Sequence, residues 1–349
     1  MIYWLLIPLS IFVIVFLIIQ IVGHLLSAPG YRGPKSDHFD GKKFINPGNV
    51  KAQGIGALLK WVRTRQPGKW IPHRHELPGK KPDATILDGA RITFINHTTF
   101  LIQTDGMNIL TDPVYSERVS PFTFAGPRRM RPPGIRFEDL PKIDLVLLSH
   151  NHYDHLDAAT VSRLKKKFDP LFVVPLGVAP FLRKLNIKRL EELDWWQKFS
   201  IASFLISCVP AQHFSGRGFF DRDQTLWCGY VVKSKTMNLC FVGDTGYNNH
   251  TFKEISDRIG DIDLAIIPIG AFKPIWFMSP IHCSPEEAVK IHLDLKARLS
   301  IASHFGTFPL GDDGQNEPVQ ELQKAKEKLN VPVQDFITLK EGTSVDYIV

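Results

Sequence analysis

The sequence predicts an α/β protein whose main domain is layered, with a transmembrane helix in front of it. Three observations carry this expectation. From about residue 85 onward short β-rich runs are interspersed with helical patterns; several of these runs are followed by histidine or aspartate; and Ile2 to Val22 holds no charged side chain. With 349 residues and 44% apolar content the chain can fill one large core or two ordinary ones, and it is not disordered. Cys208, Cys228, Cys240 and Cys283 lie far apart with no CxxC pair, which argues against a disulfide scaffold and a Cys-rich zinc site. They read as reduced, buried thiols.

The first apolar stretch is broken only by Pro8, Ser10 and Gln20 and is long enough to span a bilayer. A cleaved signal peptide would have an apolar core of about 7 to 15 residues behind a basic segment. This core is longer and follows no Lys or Arg, and its one small-residue site, Leu26-Ser27-Ala28, runs into Pro29. Residues 1–27 are therefore expected to be an uncleaved, single-pass membrane anchor. Arg32, Lys35, Lys42 and Lys43 follow the span and nothing basic precedes it, which puts the main domain on the cytoplasmic side.

Residues 28–84 form a Pro/Gly-rich basic arm. The chain's net charge of +7 originates here, where residues 32–81 set twelve Lys or Arg against Asp37, Asp40 and Glu76. A weakly amphipathic stretch, Ile55 to Val62, carries Leu58, Leu59 and Trp61. Two readings stay open: an irregular arm packed on the domain, or a surface against anionic headgroups, where each basic side chain contributes about 1 kcal/mol.

Residues 85–349 read as one continuous domain. Strands are expected at Ile92 to Ile95, Thr99 to Gln103, Asn108 to Thr111, Leu145 to Ser149 and Leu171 to Val174. More follow at Phe204 to Val209, Trp227 to Val232, Leu239 to Val242, Leu264 to Pro268 and Leu299 to Ser303. Helical patterns cover Ala158 to Phe168 and Glu317 to Lys328. Another starts at Ser284-Pro285-Glu286-Glu287, which offers an N-cap serine, a first-turn proline and a glutamate placed for a capping box.

The chemistry concentrates in residues 149–157, SHNHYDHLD. In an extended segment residues two apart point to one side, so His150 and His152 can reach one metal ion while the following turn presents Asp154 and His155 to another. Imidazole and carboxylate suit zinc and similar divalent ions. A lone histidine here would read as polar surface or a metal-free base; the cluster directly after an apolar strand argues against both. The pattern recurs downstream, with His213 after Val209-Pro210, Asp244 after Val242-Gly243 and His304 after Ser303. Convergence of these strand ends on one sheet edge would gather seven ligands, enough for two ions sharing one carboxylate. Alone, the aspartate of GDTG would read as a turn residue.

HNHYDH, His213, the GDTG aspartate and His304 resemble the metallo-β-lactamase family of binuclear hydrolases. ILTDPVYSERVSP, GPRRMRPPG, ELDWW, FVGDTGY, DLAIIPIGAF, HCSPEEAVKIH and SHFGTF are similar to its phospholipase D branch, which hydrolyses N-acyl-phosphatidylethanolamines; together they cover about residue 85 to the C-terminus. The resemblance implies a four-layer αβ/βα sandwich with two zinc ions at one edge, iron or manganese being the substitutes. It implies that His150, His152 and His213 hold one ion, that Asp154, His155 and His304 hold the second, and that Asp244 bridges them. Two departures stand out: Gly-His-Ala-Thr of the family reads Asn96-His97-Thr98-Thr99, and Met278 to Ile281 replaces a longer polar lead-in before His282.

The activity expected is that of a membrane-anchored phosphodiesterase converting a glycerophospholipid, such as N-acyl-phosphatidylethanolamine, to phosphatidate and N-acylethanolamine. Hydroxide held between two metals would attack phosphorus, with Asp154, Asp244 and His282 as the catalytic side chains. His282 would contact the phosphodiester or the leaving oxygen, or serve as a structural histidine at the helix start. His97 would brace the metal shell. Trp195-Trp196 and Trp276-Phe277-Met278 read as core more than as an acyl groove, Arg128, Arg129 and Arg131 are candidates for phosphate, and Lys165 to Lys167 form a solvated helix end. Expected partners are the phospholipid, the membrane and, as an allowed state, a homodimer; no nucleic-acid partner is expected, since the basic arm lacks a pattern of stacking aromatics and an anchor makes that role awkward. Two alternatives remain: a hydrolase of lactams, lactones or nucleic-acid phosphodiesters on the same site, and a non-catalytic membrane protein whose metal supports a binding surface.

Overall fold

The computed structural model describes residues 2–73 and 78–347, with side chains from residue 11 onward. Two helices precede the sheets: α1 (Ile2–Leu26) and α2 (Ile55–Thr64). The described side chains of α1, residues 11–26, are mostly apolar and exposed, Phe12 at 68% and Leu25 at 78%. That stretch is shorter than the about 20 residues a span requires, and among the described residues no helix is long and apolar enough to cross a membrane. The expected single-pass anchor thus lies partly outside the described side chains, and the described ones do not support it.

Strands β1 (Ala90–Asn96), β2 (Thr99–Thr104), β3 (Met107–Thr111), β4 (Leu145–Leu147), β5 (Leu171–Pro175) and β6 (Leu190–Leu193) lie side by side in chain order. The first three are antiparallel, and β3 to β6 run parallel. A second sheet holds β7 (Lys198–Ile201), β8 (Phe204–Val209), β9 (Gly229–Lys233), β10 (Asn238–Phe241), β11 (Leu264–Pro268), β12 (Leu299–Ser303) and β13 (Phe336–Ile337), again in chain order. Its first strands are antiparallel and β10 to β13 are parallel. The last strand, β14 (Ser344–Tyr347), returns to the first sheet and pairs with the outer edge of β1.

The two-residue period of a strand explains how the sheets share a core. Leu145 and Leu147 of β4, Phe100 and Ile102 of β2, and Val173 of β5 join Ile206, Tyr230 and Ile266 of the facing sheet. Val146, Leu101 and Phe172 point the other way, onto Val161 and Leu164 of α3 (Ala158–Phe168) and Ala179 and Leu182 of α4 (Ala179–Lys184). Phe252 of α5 (Thr251–Ile259), one-turn α6 (Ile275–Met278), Val289 of α7 (Pro285–Asp294) and Leu322 of α8 (Glu317–Lys328) follow in the chain, and those of α5, α7 and α8 pack with the second sheet. The expected four layers are therefore present. The Ser284 capping box of α7 forms, with Ser284 Oγ accepting from the Glu287 amide and the Glu287 carboxylate accepting from the Ser284 amide. All four cysteines are buried and free.

The arm is less irregular at its start than its composition suggests. Phe39 and Phe44 enter the main core, and the amide side chain of Asn46 is buried against the peptide of His213. Lys167 is not simply solvated, since its amine donates to the main-chain oxygens of Phe137 and Glu138.

Candidate metal centre

The parallel arrangement puts the C-terminal ends of β4, β10 and β12 on one edge of the sandwich, and β8 joins them because two antiparallel steps restore its direction. Every side chain expected to hold metal is found there. The turn after β4 is closed by the main-chain oxygen of His152, which accepts from the amides of His155 and Leu156. It ends where Asp157 caps α3, accepting from the Ala159 amide. Four candidate ligands are thus compressed between a strand and a capped helix. At the end of β10 a side chain on Gly243, whose φ is +68°, would lie 2.9 Å from the Cys228 oxygen and 2.9 Å from the Ser149 Cβ. Only glycine allows Asp244 its approach.

Of the four overlapping donor groups that result among the described residues, two bear most directly on the expected ligands. His150, His152 and His213 form one, and His97, Asp154, His155 and His304 the other; within each group the nearest ligand atoms all lie within 4.8 Å of one another. Asp244 stands between them, its Oδ2 3.1 Å from His155 Nε2, 3.1 Å from His304 Nε2 and 3.7 Å from His213 Nε2. His282 lies beside it, with Nδ1 3.9 Å from the same oxygen.

The hydrogen bonds behind these groups turn ring nitrogens inward. His213 Nδ1 lies 2.7 Å from the Ile281 oxygen, a pure acceptor, so this nitrogen carries the proton and Nε2 is left as a lone pair. His155 Nδ1 is 2.7 Å from Asp112 Oδ2, which fixes its tautomer in the same sense. Ser149 Oγ donates to Asp112 and lies 2.9 Å from His150 Nδ1, extending that support to a third ring. His150 Nε2 and His213 Nε2 then face His152 Nδ1 at 2.8 and 3.3 Å. Lone pairs brought together in a buried site call for a cation. Consistent with this, His155 Nε2, both ring nitrogens of His304, Asp244 Oδ1 and His282 Nδ1 are buried without a hydrogen-bond partner of good geometry. Nitrogen and carboxylate donors in this arrangement fit divalent metal ions.

Electrostatics divide the rings. Burial pulls the pKa of His152, His213, His282 and His97 down to about 3 and that of His150 well below its usual range. These imidazoles are neutral at pH 7, the form that binds metal. Burial acts the same way on His304, but the carboxylates of Asp244 and Asp154 outweigh it and push that pKa up to about 9; His155 is raised well above normal for the same reason. Burial would raise the pKa of Asp154 and Asp244, yet the neighbouring imidazoles hold both well below the carboxylate range. The centre is thus a pair of carboxylates flanked by His155 and His304 and rimmed by neutral imidazoles. Left-handed backbone at His97, Asp112 and His304 (φ 48°, 31° and 57°) marks the same place.

Two supporting residues were not expected from the sequence. Asp112, fully buried, accepts from the amide and hydroxyl of Ser149 and faces His155. Asn46 comes from the basic arm and grips the peptide of His213, with Oδ1 accepting from the His213 amide and Nδ2 donating to its oxygen, both at 2.8 Å. The same Oδ1 accepts from Trp227 Nε1. The expected brace is also present, with His97 Nε2 3.1 Å from Asp154 Oδ2.

The arginines proposed for phosphate are engaged elsewhere. Arg128 pairs with Glu117, Arg131 with Glu341 and Asn316, and buried Arg129 donates to the oxygens of Ser116 and Val114 over the Phe308 ring. Trp195 is core, stacked on His38. Phe277 and Met278, by contrast, are both buried and part of the wall of a cavity of about 810 Å³ that opens onto His152, Asp154, Asp244 and His282. Ile55, Leu58 and Trp61 of α2 line the same cavity, and Trp61 stacks on Phe277 at 4.8 Å.

Comparison with known proteins agrees with this geometry. Residues 107–305 match the model of the β-lactamase superfamily domain. The chain is 38% identical over 268 residues to N-acyl-phosphatidylethanolamine-hydrolyzing phospholipase D 1 of Caenorhabditis elegans, covering 73% of this chain and 75% of that protein. It is 40% identical over 264 residues to an uncharacterized protein of Mycobacterium tuberculosis, covering 74% and 70%. Among solved structures, Igni18, a metallo hydrolase of Ignicoccus hospitalis, superposes with a TM-score of 0.56 at 19% identity over 74% of this chain and 99% of its own. An isothiocyanate hydrolase from Delia radicum gut bacteria gives 0.57 at 20% identity over 73% and 98%. These two likenesses speak to the fold. From fold, donor set and relatives together, the chain belongs to the β-lactamase superfamily, in the family of the N-acyl-phosphatidylethanolamine-hydrolysing phospholipases D, and is a metal-dependent hydrolase.

Proposed function

We propose that the protein is a binuclear phosphodiesterase that cleaves a membrane glycerophospholipid, N-acyl-phosphatidylethanolamine, into phosphatidate and N-acylethanolamine. The observation that carries this reading is the position of Asp244, one carboxylate oxygen within 3.7 Å of histidines from both donor groups, at the floor of a cavity walled by apolar side chains. In it His150, His152 and His213 would hold one ion, Asp154, His155 and His304 the other, with zinc the metal that best suits the set. A pair of ions so held lowers the pKa of water and neutralises charge on phosphoryl oxygens. The chain's own residues supply the rest. Ile55, Leu58, Phe277 and Met278 receive acyl chains and keep water from the scissile bond. His282, neutral at pH 7, offers a hydrogen bond rather than a proton to the departing oxygen of the ethanolamine. Water adds to phosphorus, the phosphorus–oxygen bond to the ethanolamine breaks, and that oxygen takes up the proton.

Membrane association forms part of the proposal. The exposed apolar side chains of α1, the outward faces of Ile55, Leu59 and Val62 on α2, and exposed Phe219 and Trp276 near the cavity support it. Arg32, Lys35, Lys42 and Lys43 after α1 favour the cytoplasmic face. The test is incubation with vesicles of defined phospholipids, beside a β-lactam, a lactone and an RNA, with mass spectrometry of the products. Phosphatidate should be released only in the metal-replete sample. Turnover of another substrate with no lipid cleaved would refute the assignment.

A further inference from the structure

One loop joins the metal-binding turn to the N-terminal helix. Residues 215–221 follow His213, and the guanidinium of Arg217 reaches from this loop into the turn after β4. Its Nη1 donates to the main-chain oxygens of Asn151 and Leu156, both at 2.8 Å. These two carbonyls bracket His152, Tyr153, Asp154 and His155. The plane of the guanidinium lies 3.9 Å over the Tyr153 ring, while Tyr153 Oη donates back to the Arg217 oxygen. The Gly216 amide donates to Asn151 Oδ1 at 2.8 Å. Two main-chain carbonyls held by one charged nitrogen lose the freedom to rotate.

The far side of the loop is fixed just as closely, but to α1. Buried Asp221 accepts from the amides of Arg217 and Gly218, and its Oδ2 accepts from the amide of Ala28, two residues beyond the helix, at 2.8 Å. Ser27 Oγ accepts from the Phe220 amide. The fit has no slack, since a side chain on Gly218 would come within 2.4 Å of Ser27 Oγ and 2.6 Å of the Ser27 amide nitrogen. The His24 ring lies against Phe220 with centroids 4.6 Å apart.

We infer that Arg217 is a positioning residue that, with Asp221, couples the seating of the C-terminal end of α1 to the geometry of the turn carrying His152, Asp154 and His155. The ligand turn is held from behind by a loop whose other face is occupied by the N-terminal helix, so displacing the helix end loosens the turn. The inference rests on the metal reading only where metal is measured. Exchange of the amides of residues 151–156 reports on the brace without it.

The test uses the full-length, zinc-loaded protein in detergent, with two readouts: the rate of zinc loss to a chelator and hydrogen exchange at residues 151–156. Arg217→Gln should speed both, zinc loss by about 10-fold to 100-fold, the range seen in metal affinity when support of a ligand is removed. Arg217→Lys, which keeps the charge but loses the planar guanidinium over Tyr153, should fall between. Gly218→Val, which collides with Ser27 and leaves Arg217 in place, should move both readouts in the same direction. Wild-type values for Arg217→Gln, or for Gly218→Val, would overturn the coupling. If Arg217→Gln does not fold, Gly218→Val and Arg217→Lys decide alone. Should wild-type protein bind no zinc, the metal reading fails, and amide exchange still tests the brace.

Discussion

Asp112 and Asn46 show how much of a metal centre depends on side chains that do not face the metal. Asp112 orients two imidazoles, directly at His155 and through Ser149 at His150, so Asp112→Asn should lower metal affinity and turnover about 10-fold to 100-fold with the fold retained. Metal content after dialysis and circular dichroism check both halves. Asn46→Ala leaves the His213 amide and oxygen buried without partners, while the Trp227 indole keeps the Ala211 oxygen, a cost of about 1–3 kcal/mol in denaturant unfolding. Wild-type stability would contradict this. Neither residue was legible in the sequence, and the reason is physical. Asp112 precedes a proline and Asn46 opens Asn-Pro-Gly, so each reads as ordinary turn chemistry. The seven side chains assigned to metal stood out because each follows an apolar run, and parallel strands carry such positions to one edge.

At the scale of elements, the interior strands were readable and the margins were not. β6, β7, β13 and β14 were not anticipated, and these four are the edges of the two sheets. Edge strands carry charge against aggregation, and Leu-Glu-Glu-Leu or Lys-Phe-Ser-Ile lacks the apolar run that marks a central strand. The arm concealed its contacts for a related reason, since they are made by few residues. Buried Asp312 accepts from Trp61 Nε1 at 2.8 Å and Arg65 Nε at 2.9 Å, tying α2 to the segment between β12 and α8. Asp312→Ala should raise KM for a long-chain lipid about tenfold, the effect of losing roughly 1–3 kcal/mol of buried hydrogen bonding, while kcat on a short-chain substrate changes less. Equal losses on both substrates would contradict this role for α2. Further back, His38 lies between Asp37 and Asp194, at 2.5 and 2.7 Å. Burial opposes its charge, but the two carboxylates prevail and raise its pKa. A raised folded-state pKa stabilises below the ordinary histidine value and is lost as pH rises through the folded one. Proteolysis of residues 28–45 should therefore quicken as pH rises above about 6.5, and Asp194→Asn should flatten that dependence.

Over the whole molecule, the sandwich supplies a rigid edge, the arm supplies one wall of the cavity, and the loop after β8 connects that edge to α1. The apolar N-terminal segment was prominent in the sequence, yet sequence alone did not show that its end would be packed against the loop that supports the ligand turn. That contact is long-range, 193 residues from Ala28 to Asp221, and depends on Gly218 having no side chain. In the proposed reaction this architecture delivers water to the phosphorus of a bilayer lipid. The most direct measurement is hydrolysis of N-acyl-phosphatidylethanolamine vesicles in isotope-labelled water by metal-replete and chelator-treated protein, with mass spectrometry of both products. One labelled oxygen should appear in phosphatidate and none in N-acylethanolamine, with no products after metal removal. Label in the N-acylethanolamine, or undiminished turnover without metal, would contradict it.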